Sequence, residues 1–187
     1  MKNSIYTCIT NDFDTLKPGV VLQEPYQEFK DERRNSRIQK IMPHLFIDTE
    51  YSIYLDGNIE PLVAPEKLIE LLGDKEIAVF KHPEREDVFQ EMEAIVQLGK
   101  DTRKNIKKQF DYYKKSDYKT GLYACGVIIR KHTPEIAQLN ERWWAQYCRF
   151  GVRDQLSFPV AFPKEKINII EGSIYNHPYF KFNTHNK

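Results

Sequence analysis

Short apolar runs alternate with helical stripes along this chain. Residues 4–10, 20–22, 51–55, 77–80, 125–129 and 167–170 read as strands, rich in Ile, Val and aromatic residues and bounded by turn formers. Other apolar positions recur at a spacing near 3.6. Val88, Met92, Ile95 and Val96 mark one helix, and Ile106, Phe110 and Tyr113 a second. Ile136, Leu139, Trp143 and Tyr147 form the stripe of a longer helix, opened by Thr133-Pro134-Glu135. Residues 65–72 read as a helix with Pro65 at its start and Gly73 at its end. Residues 36–42 have helical character and stop before Pro43. Residues 153–158 read as a short helix, and the charged stretch 24–34 as an exposed, mobile loop. From about residue 175 the chain has no periodicity and reads as a tail. Strands and helices alternate, so the expected class is α/β, with a mainly parallel central sheet flanked by helices in one compact domain over residues 1–187.

Composition narrows the partners. Hydrophobic residues make up 41% and charged residues 29%, as in ordinary globular proteins. A net charge of +1 gives no global field toward nucleic acid. No apolar run approaches the ~20 residues of a membrane span. Residues 1–8 are too short and polar for a signal peptide and read as the approach to a first strand. Cys8, Cys125 and Cys148 are odd in number and widely spaced, which fits buried thiols in a reducing compartment better than disulfides or zinc. There is no Asn-x-Ser/Thr sequon. The expected location is cytoplasmic.

The first candidate for chemistry is Tyr51-Ser52-Ile53-Tyr54-Leu55-Asp56-Gly57-Asn58-Ile59, a strand ending in an acid, a glycine and an amide. Ligands of α/β domains bind beyond the carboxyl ends of strands. A carboxylate there, followed by glycine and a second oxygen donor, suits a hard cation holding a diphosphate. Arg37 and Lys40, three apart, share one face of the helix that precedes it. Further along lie Gly121 and Gly126 around a buried strand, Arg153-Asp154-Gln155 at a helix start, and Asn176-His177-Pro178-Tyr179-Phe180-Lys181 in the tail.

These motifs resemble a known family. Residues 37–44 and 51–60, Lys81-His82-Pro83-Glu84-Arg85, Trp143-Trp144 and Arg153-Asp154-Gln155-Leu156-Ser157-Phe158 look like the glycosyltransferase-like domain of plant Golgi proteins involved in seed-coat mucilage, with relatives in bacterial polysaccharide loci. More distantly, their order is similar to the family 8 glycosyltransferases, the group of glycogenin. That resemblance implies a GT-A fold, a nucleotide-sugar donor and a divalent metal, usually Mn2+; the donor expected for this chain is a UDP-sugar, and Mg2+ is the alternative metal. It implies that Asp56 and Asn58 are the metal pair, with His177 as the last metal ligand and His185 competing for that role. Gly126 matches the central-strand glycine, Asp154 and Gln155 the pair facing the donor sugar, and Lys181 the diphosphate-binding lysine. Two departures stand out. Asn58 replaces a second acid, and no glycine separates His177 from Lys181.

The chemistry is consistent with those roles. Negative charge grows on the leaving diphosphate, and a cation with Lys or Arg nearby stabilises it there. Arg37, Lys40 and Lys181 are the candidate phosphate-side cations. Asp56, Asn58 and His177 offer O, O and N donors, which manganese accepts more readily than calcium. Asp154 has three open roles: orienting a hydroxyl, acting as a base, or facing an oxocarbenium-like centre. His82, Arg85 and Trp144 are candidates for the acceptor side.

Each residue also has an ordinary structural reading. Asp56 forms turns, Asp154 suits a helix N-terminus, and Arg37 and Lys40 suit a solvated helix face. His82 and Arg85 flank Pro83 as turn residues, and Trp143 and Trp144 are default core. The lysine-rich stretch from Lys100 to Lys119 reads as a solvated face, or as a surface for acidic glycan or peripheral membrane contact. The expected activity is transfer of a sugar from a nucleotide sugar to a glycan or glycolipid. Its rivals are a metal-dependent nucleotidyl or phosphoryl transferase and a non-catalytic glycan- or partner-binding domain.

Overall fold

The structure is a computed structural model and describes residues 3–116, 118, 121–151 and 153–184. Six strands form the main sheet: β1 (Asn3–Thr7), β2 (Val21–Leu22), β3 (Tyr51–Leu55), β5 (Ile77–Lys81), β6 (Tyr123–Lys131) and β7 (Ile167–Ile170). Their order is β2-β1-β3-β6-β5-β7. Five strands run one way, and β6 opposes β3 and β5. The α/β class with a mainly parallel sheet is therefore what the chain adopts. Two short strands, β4 (Ile59–Pro61) and β8 (Phe180–Phe182), pair with each other in a separate ribbon. The stretch read as an aperiodic tail thus contains a strand. Three residues are too few to show a period of two.

Side chains alternate across the sheet, as the pleat requires. Tyr6, Tyr54, Ile77, Val79 and Ile128 face α1 (Glu32–Ile41), α5 (Pro134–Phe150) and α6 (Asp154–Ala161). Ile5, Ile53, Leu55, Ala78, Phe80, Val127 and Ile129 face α2 (Pro65–Ile69) and the residues around Ile174 and Phe180. A third cluster joins α3 (Val88–Gln97) and α4 (Arg103–Lys115) to α6.

Helix starts follow capping chemistry. Asp87, Thr102 and Thr133 accept backbone N–H groups at the starts of α3, α4 and α5. Asp31 does the same for α1, accepting from Arg33 N at 3.0 Å. Helix α1 therefore begins four residues before the sequence pattern indicated, inside the stretch read as a loop. Charge density hid it: Glu32, Arg33 and Arg34 are exposed or half-buried, and the apolar face starts only at Ile38.

Arg130, fully buried in β6, ties three elements together. Its guanidinium donates to the Ile41 carbonyl and to Asn140 Oδ1, each at 3.1 Å, and to the Lys40 carbonyl. A cation at these last carbonyls also suits the helix dipole of α1. His132, just past the end of the same strand, meets Ser52 Oγ at 2.8 Å. Burial, with the Arg130 and His44 charges, depresses its pKa from 6.5 to about 4. Between those two values the unfolded chain binds a proton that the folded one refuses. Stability therefore falls as pH drops through that window. His44, His82 and His177 are shifted in the same direction. We expect urea unfolding across that window to show stability falling with acid, with a shallower slope in a His132→Gln variant. Identical slopes in the two proteins would contradict the assignment.

Candidate active site

The site lies beyond the carboxyl ends of β1 and β3. Lys40, in the last turn of α1, is 2% exposed and points between two acids. Its Nζ lies 2.8 Å from Asp154 Oδ2 and 3.3 Å from Asp56 Oδ1. Arg37, one turn earlier, reaches Asp154 Oδ1 with its Nε at 3.5 Å. The i, i+3 spacing therefore brings both cations to one carboxylate. The Tyr54 hydroxyl donates to Asp56 Oδ1 at 2.9 Å, and Lys40 Nζ sits 4.9 Å from the Tyr54 ring centroid.

Burial alone would raise the Asp154 pKa. Lys40 and Arg37, through charge and a hydrogen bond from Lys40, outweigh it and hold the carboxyl far below the usual range. Asp154 is therefore ionised at neutral pH and weakly basic. Burial and the Asp56 charge push Tyr54 well above the ordinary phenol value, so its hydroxyl stays protonated and donates. Asp154 is placed by its backbone: its carbonyl accepts from Trp143 Nε1 at 2.9 Å and from Ser157 Oγ at 3.0 Å. Trp143 in turn packs edge-on to Phe158 at 4.9 Å. Gln155 donates to the Tyr123 carbonyl at 2.7 Å.

Gly126 sets the distance between β6 and Asp56. The register of β6 against β5 shifts between Val79 and Phe80, a bulge that leaves Gly126 opposite the end of β3. Asp56 N donates to the Gly126 carbonyl at 2.8 Å. A Cβ at Gly126 would lie 3.0 Å from Ile59, 3.1 Å from Ile174 and 3.2 Å from Asp56 Oδ2. Gly57 makes room for a different neighbour than a ligand: a Cβ there would lie 2.9 Å from the Asp14 Cβ. Asp56 and Ile59 also close a backbone turn, with Ile59 N donating to the Asp56 carbonyl at 2.9 Å. Turn chemistry and an exposed carboxylate coexist in this motif.

Two clefts open on either side of Asp56. One, of about 680 Å³, is lined by Asp154, Gln155, Gly126, His82, Arg85 and Tyr175 among others. The other, of about 760 Å³, lies over the end of β1 and includes Cys8, Asn11, Asp14, Tyr54 and Asn58. His82 and Arg85 therefore do border the site, although both are partly committed. His82 Nδ1 accepts from the backbone N–H groups of Glu84 and Arg85 at 3.2 and 3.0 Å, and Arg85 pairs with buried Glu91.

Three expected site residues are not brought together with these. His177 packs on Phe80 and Phe180, its Nδ1 accepts from Tyr179 N at 3.2 Å, and it lines neither cleft. Lys181 alternates away from Phe182, which lines the first cleft, and pairs with Glu60 at 3.8 Å. Trp144 stacks on Tyr147, contacts Phe29 and lines neither cleft. Adjacent residues on a helix point in different directions: Trp143 is fully buried, and Trp144 is half-buried against the same core. His185 lies outside the described residues. Sequence reasoning missed Arg130, Asn140 and Asp14. A charged residue inside the apolar run Ile128-Ile129-Arg130 was the available signal for the first.

The donor set tests the expected metal. Asp56 Oδ1 is engaged by Lys40 and Tyr54, which leaves Oδ2. Asn58 donates its amide N–H to the Asn183 carbonyl at 3.1 Å, which fastens the segment after β8. Among the described residues no group of three His, Cys, Asp or Glu side chains is arranged to hold an ion. The arrangement fits a cation that touches Asp56 and takes most ligands from phosphate and water, as Mg2+ commonly does. With His177 turned away, the remaining donors are oxygens and give no preference for Mn2+ over Mg2+.

Gly126→Val adds three carbons where contacts are already at their limit. It is expected to cost about 1–3 kcal/mol in urea unfolding, the usual penalty for overpacking. Unchanged stability would mean that β6 is not pressed against Asp56.

Comparison with known proteins agrees with this setting. A family model described as TOD1/MUCI70, glycosyltransferase-like domain, matches residues 19–181. The Arabidopsis thaliana protein named probable hexosyltransferase MUCI70 is 32% identical over 151 residues, covering 71% of this chain and 25% of that protein. The chain thus spans about a quarter of that relative's length. Two solved structures share partial likeness. The WbbM bifunctional glycosyltransferase is 15% identical with a TM-score of 0.47, over 81% of this chain and 28% of that one. Mouse xyloside xylosyltransferase 1 is 10% identical with a TM-score of 0.47, over 80% and 62%. Nothing about the site follows from scores at that level. The family match spans most of the chain, including α1, Asp56 and Asp154, and on that ground the chain belongs to the TOD1/MUCI70 glycosyltransferase-like domain family.

Proposed function

We propose that this domain is a glycosyltransferase, moving a hexosyl or related sugar from a nucleotide-sugar donor, a UDP-sugar, to a glycan or glycolipid hydroxyl. The observation that carries the reading is the pair of clefts meeting at Asp56, with ionised Asp154 on one side. Family membership sets the reaction class. In the reaction the bond from the sugar's anomeric carbon to the diphosphate breaks, and the diphosphate leaves with the electron pair. A bond to the acceptor oxygen forms, and the acceptor proton is lost to solvent or to the leaving group. A divalent cation, Mn2+ or Mg2+, held through Asp56 supplies charge neutralisation for the leaving group when bound.

One of the three open roles of Asp154 is disfavoured. A carboxylate held far below its usual pKa is a poor general base, since the best base titrates near the working pH. A fixed negative charge beside the sugar instead stabilises positive charge developing at the anomeric carbon, or orients a hydroxyl. Lys40 lies between Asp56 and Asp154, in the space a second cation would need. This weighs against the nucleotidyl or phosphoryl transferase reading. The binding-module reading rests on Asn58, whose amide serves the segment after β8. The free thiols Cys8, Cys125 and Cys148 are consistent with a reducing, cytoplasmic setting, which we also propose. No helix among the described residues is long and apolar enough to cross a membrane. The exposed lysines of α4 remain the proposed surface for a peripheral membrane or acidic glycan contact, with Lys119 outside the described residues.

A thermal-shift panel of nucleotide sugars with and without Mn2+ or Mg2+ identifies the donor. A ligand at ~100 times its dissociation constant should add about 2.7 kcal/mol. With that donor, Asp154→Asn should lower kcat on the order of 10²-fold while donor affinity changes far less. Absence of any nucleotide-sugar shift would sink the reading. Full turnover by a folded Asp154→Asn protein would remove Asp154 from the reacting face.

A further inference from the structure

The two clefts share four lining residues: Arg37, Asp56, Lys100 and Arg153. They form the waist through which a ligand spanning both clefts must pass. Two of them are already committed, Arg37 to Asp154 and Asp56 to Lys40 and Tyr54. The side chains of Lys100 and Arg153 have neither a hydrogen bond nor an ion pair among the described residues. Counting Lys40 and Asp154 behind the waist, four cations meet two carboxylates there; Lys100 and Arg153 are the two without an ion pair, Arg153 acting on Asp154 only at longer range.

We propose that Lys100 and Arg153 form the clamp for the diphosphate of the donor, an assignment that rests on the nucleotide-sugar reading above. A diphosphate carries at least two negative charges at neutral pH and would match this surplus. The lysine expected for the task, Lys181, is turned out toward Glu60.

Local structure fixes both side chains at the waist. Helix α3 ends in a Schellman motif: Gly99 N donates to the Val96 carbonyl at 3.2 Å and Lys100 N to the Ile95 carbonyl at 3.0 Å, with Gly99 at φ 63°. Two residues later Thr102 caps α4. Lys100 is therefore held between two capped helix ends and leaves the lysine face of α4 behind. Arg153 is the N-cap residue of α6, one position before Asp154. The two turns meet: a Cβ on Gly151 would lie 3.6 Å from Asp101 Oδ2. The pair thus closes over the waist from two separate helix junctions.

The test is calorimetric titration of inorganic pyrophosphate and of UDP into the wild-type protein, Lys100→Ala, Arg153→Ala, Lys100→Arg and Lys181→Ala. Each alanine variant at the waist should weaken both ligands by roughly tenfold or more, as expected for a lost charge-assisted contact. Lys100→Arg should restore most of the affinity, Lys181→Ala should leave it unchanged, and all melting temperatures should stay near that of the wild type. Unchanged pyrophosphate affinity in both alanine variants overturns the clamp. So does a wild-type protein that binds no pyrophosphate, or a loss that tracks unfolding. If the variants lose pyrophosphate while no nucleotide sugar binds or turns over, the clamp stands and the glycosyltransferase reading falls.

Discussion

One ammonium group lies between two carboxylates that come from distant parts of the chain. Lys40 Nζ joins Asp56, at the end of β3, to Asp154, at the start of α6. Lys40 and Asp154 are buried, and neither charge is tolerable there alone, because an unpaired buried charge costs several kcal/mol; Asp56 is half-exposed. Together they hold Asp154 ionised and fix Asp56 with one oxygen committed and one left over. The arrangement is costly in desolvation, and a well-packed apolar trio would serve stability as well or better. Its presence at the carboxyl ends of the strands, between two clefts, is the ground on which we propose it as a site rather than a structural ion pair.

The surrounding structure keeps this triad in register. Arg130 grips the last carbonyls of α1, the turn that carries Lys40. The indole of Trp143 and the hydroxyl of Ser157 hold the Asp154 backbone. The bulge at Gly126 lets β6 approach Asp56 within the width of a missing side chain. Three helices and two strands therefore converge on two carboxylates, and Trp143, which holds the Asp154 carbonyl, is itself packed against Phe158 in the core.

What was legible in the sequence was what short-range patterns encode. Alternation of strands and helices announced the class, and the caps Thr133, Pro65 and Gly73 marked helix ends. Asp56, Asp154, Arg37 and Lys40 converge where the strand-end rule and the i, i+3 spacing put them. The strand β8 and its partner β4 were illegible because three residues carry no period. The start of α1 was masked by its charges, although Asp31 was a usable cap. Lys181 and His177 were assigned by family pattern, and side-chain direction depends on the pairing of β8 and the packing around Phe80, which no local signal reveals. Whether Lys40 was a phosphate-side cation or a solvated helix charge stayed open for a similar reason: its burial follows from the approach of α6, more than a hundred residues later.

The decisive quantity is the coupling between Lys40 and Asp154. A double-mutant cycle in urea unfolding, using Lys40→Met, Asp154→Asn and the pair, isolates it. Each single change is expected to be strongly destabilising, the double variant to recover much of the loss, and the interaction energy to be about 1–3 kcal/mol. Losses that simply add, within about 0.5 kcal/mol, would mean that the two charges do not hold one another and that the site is not built around them.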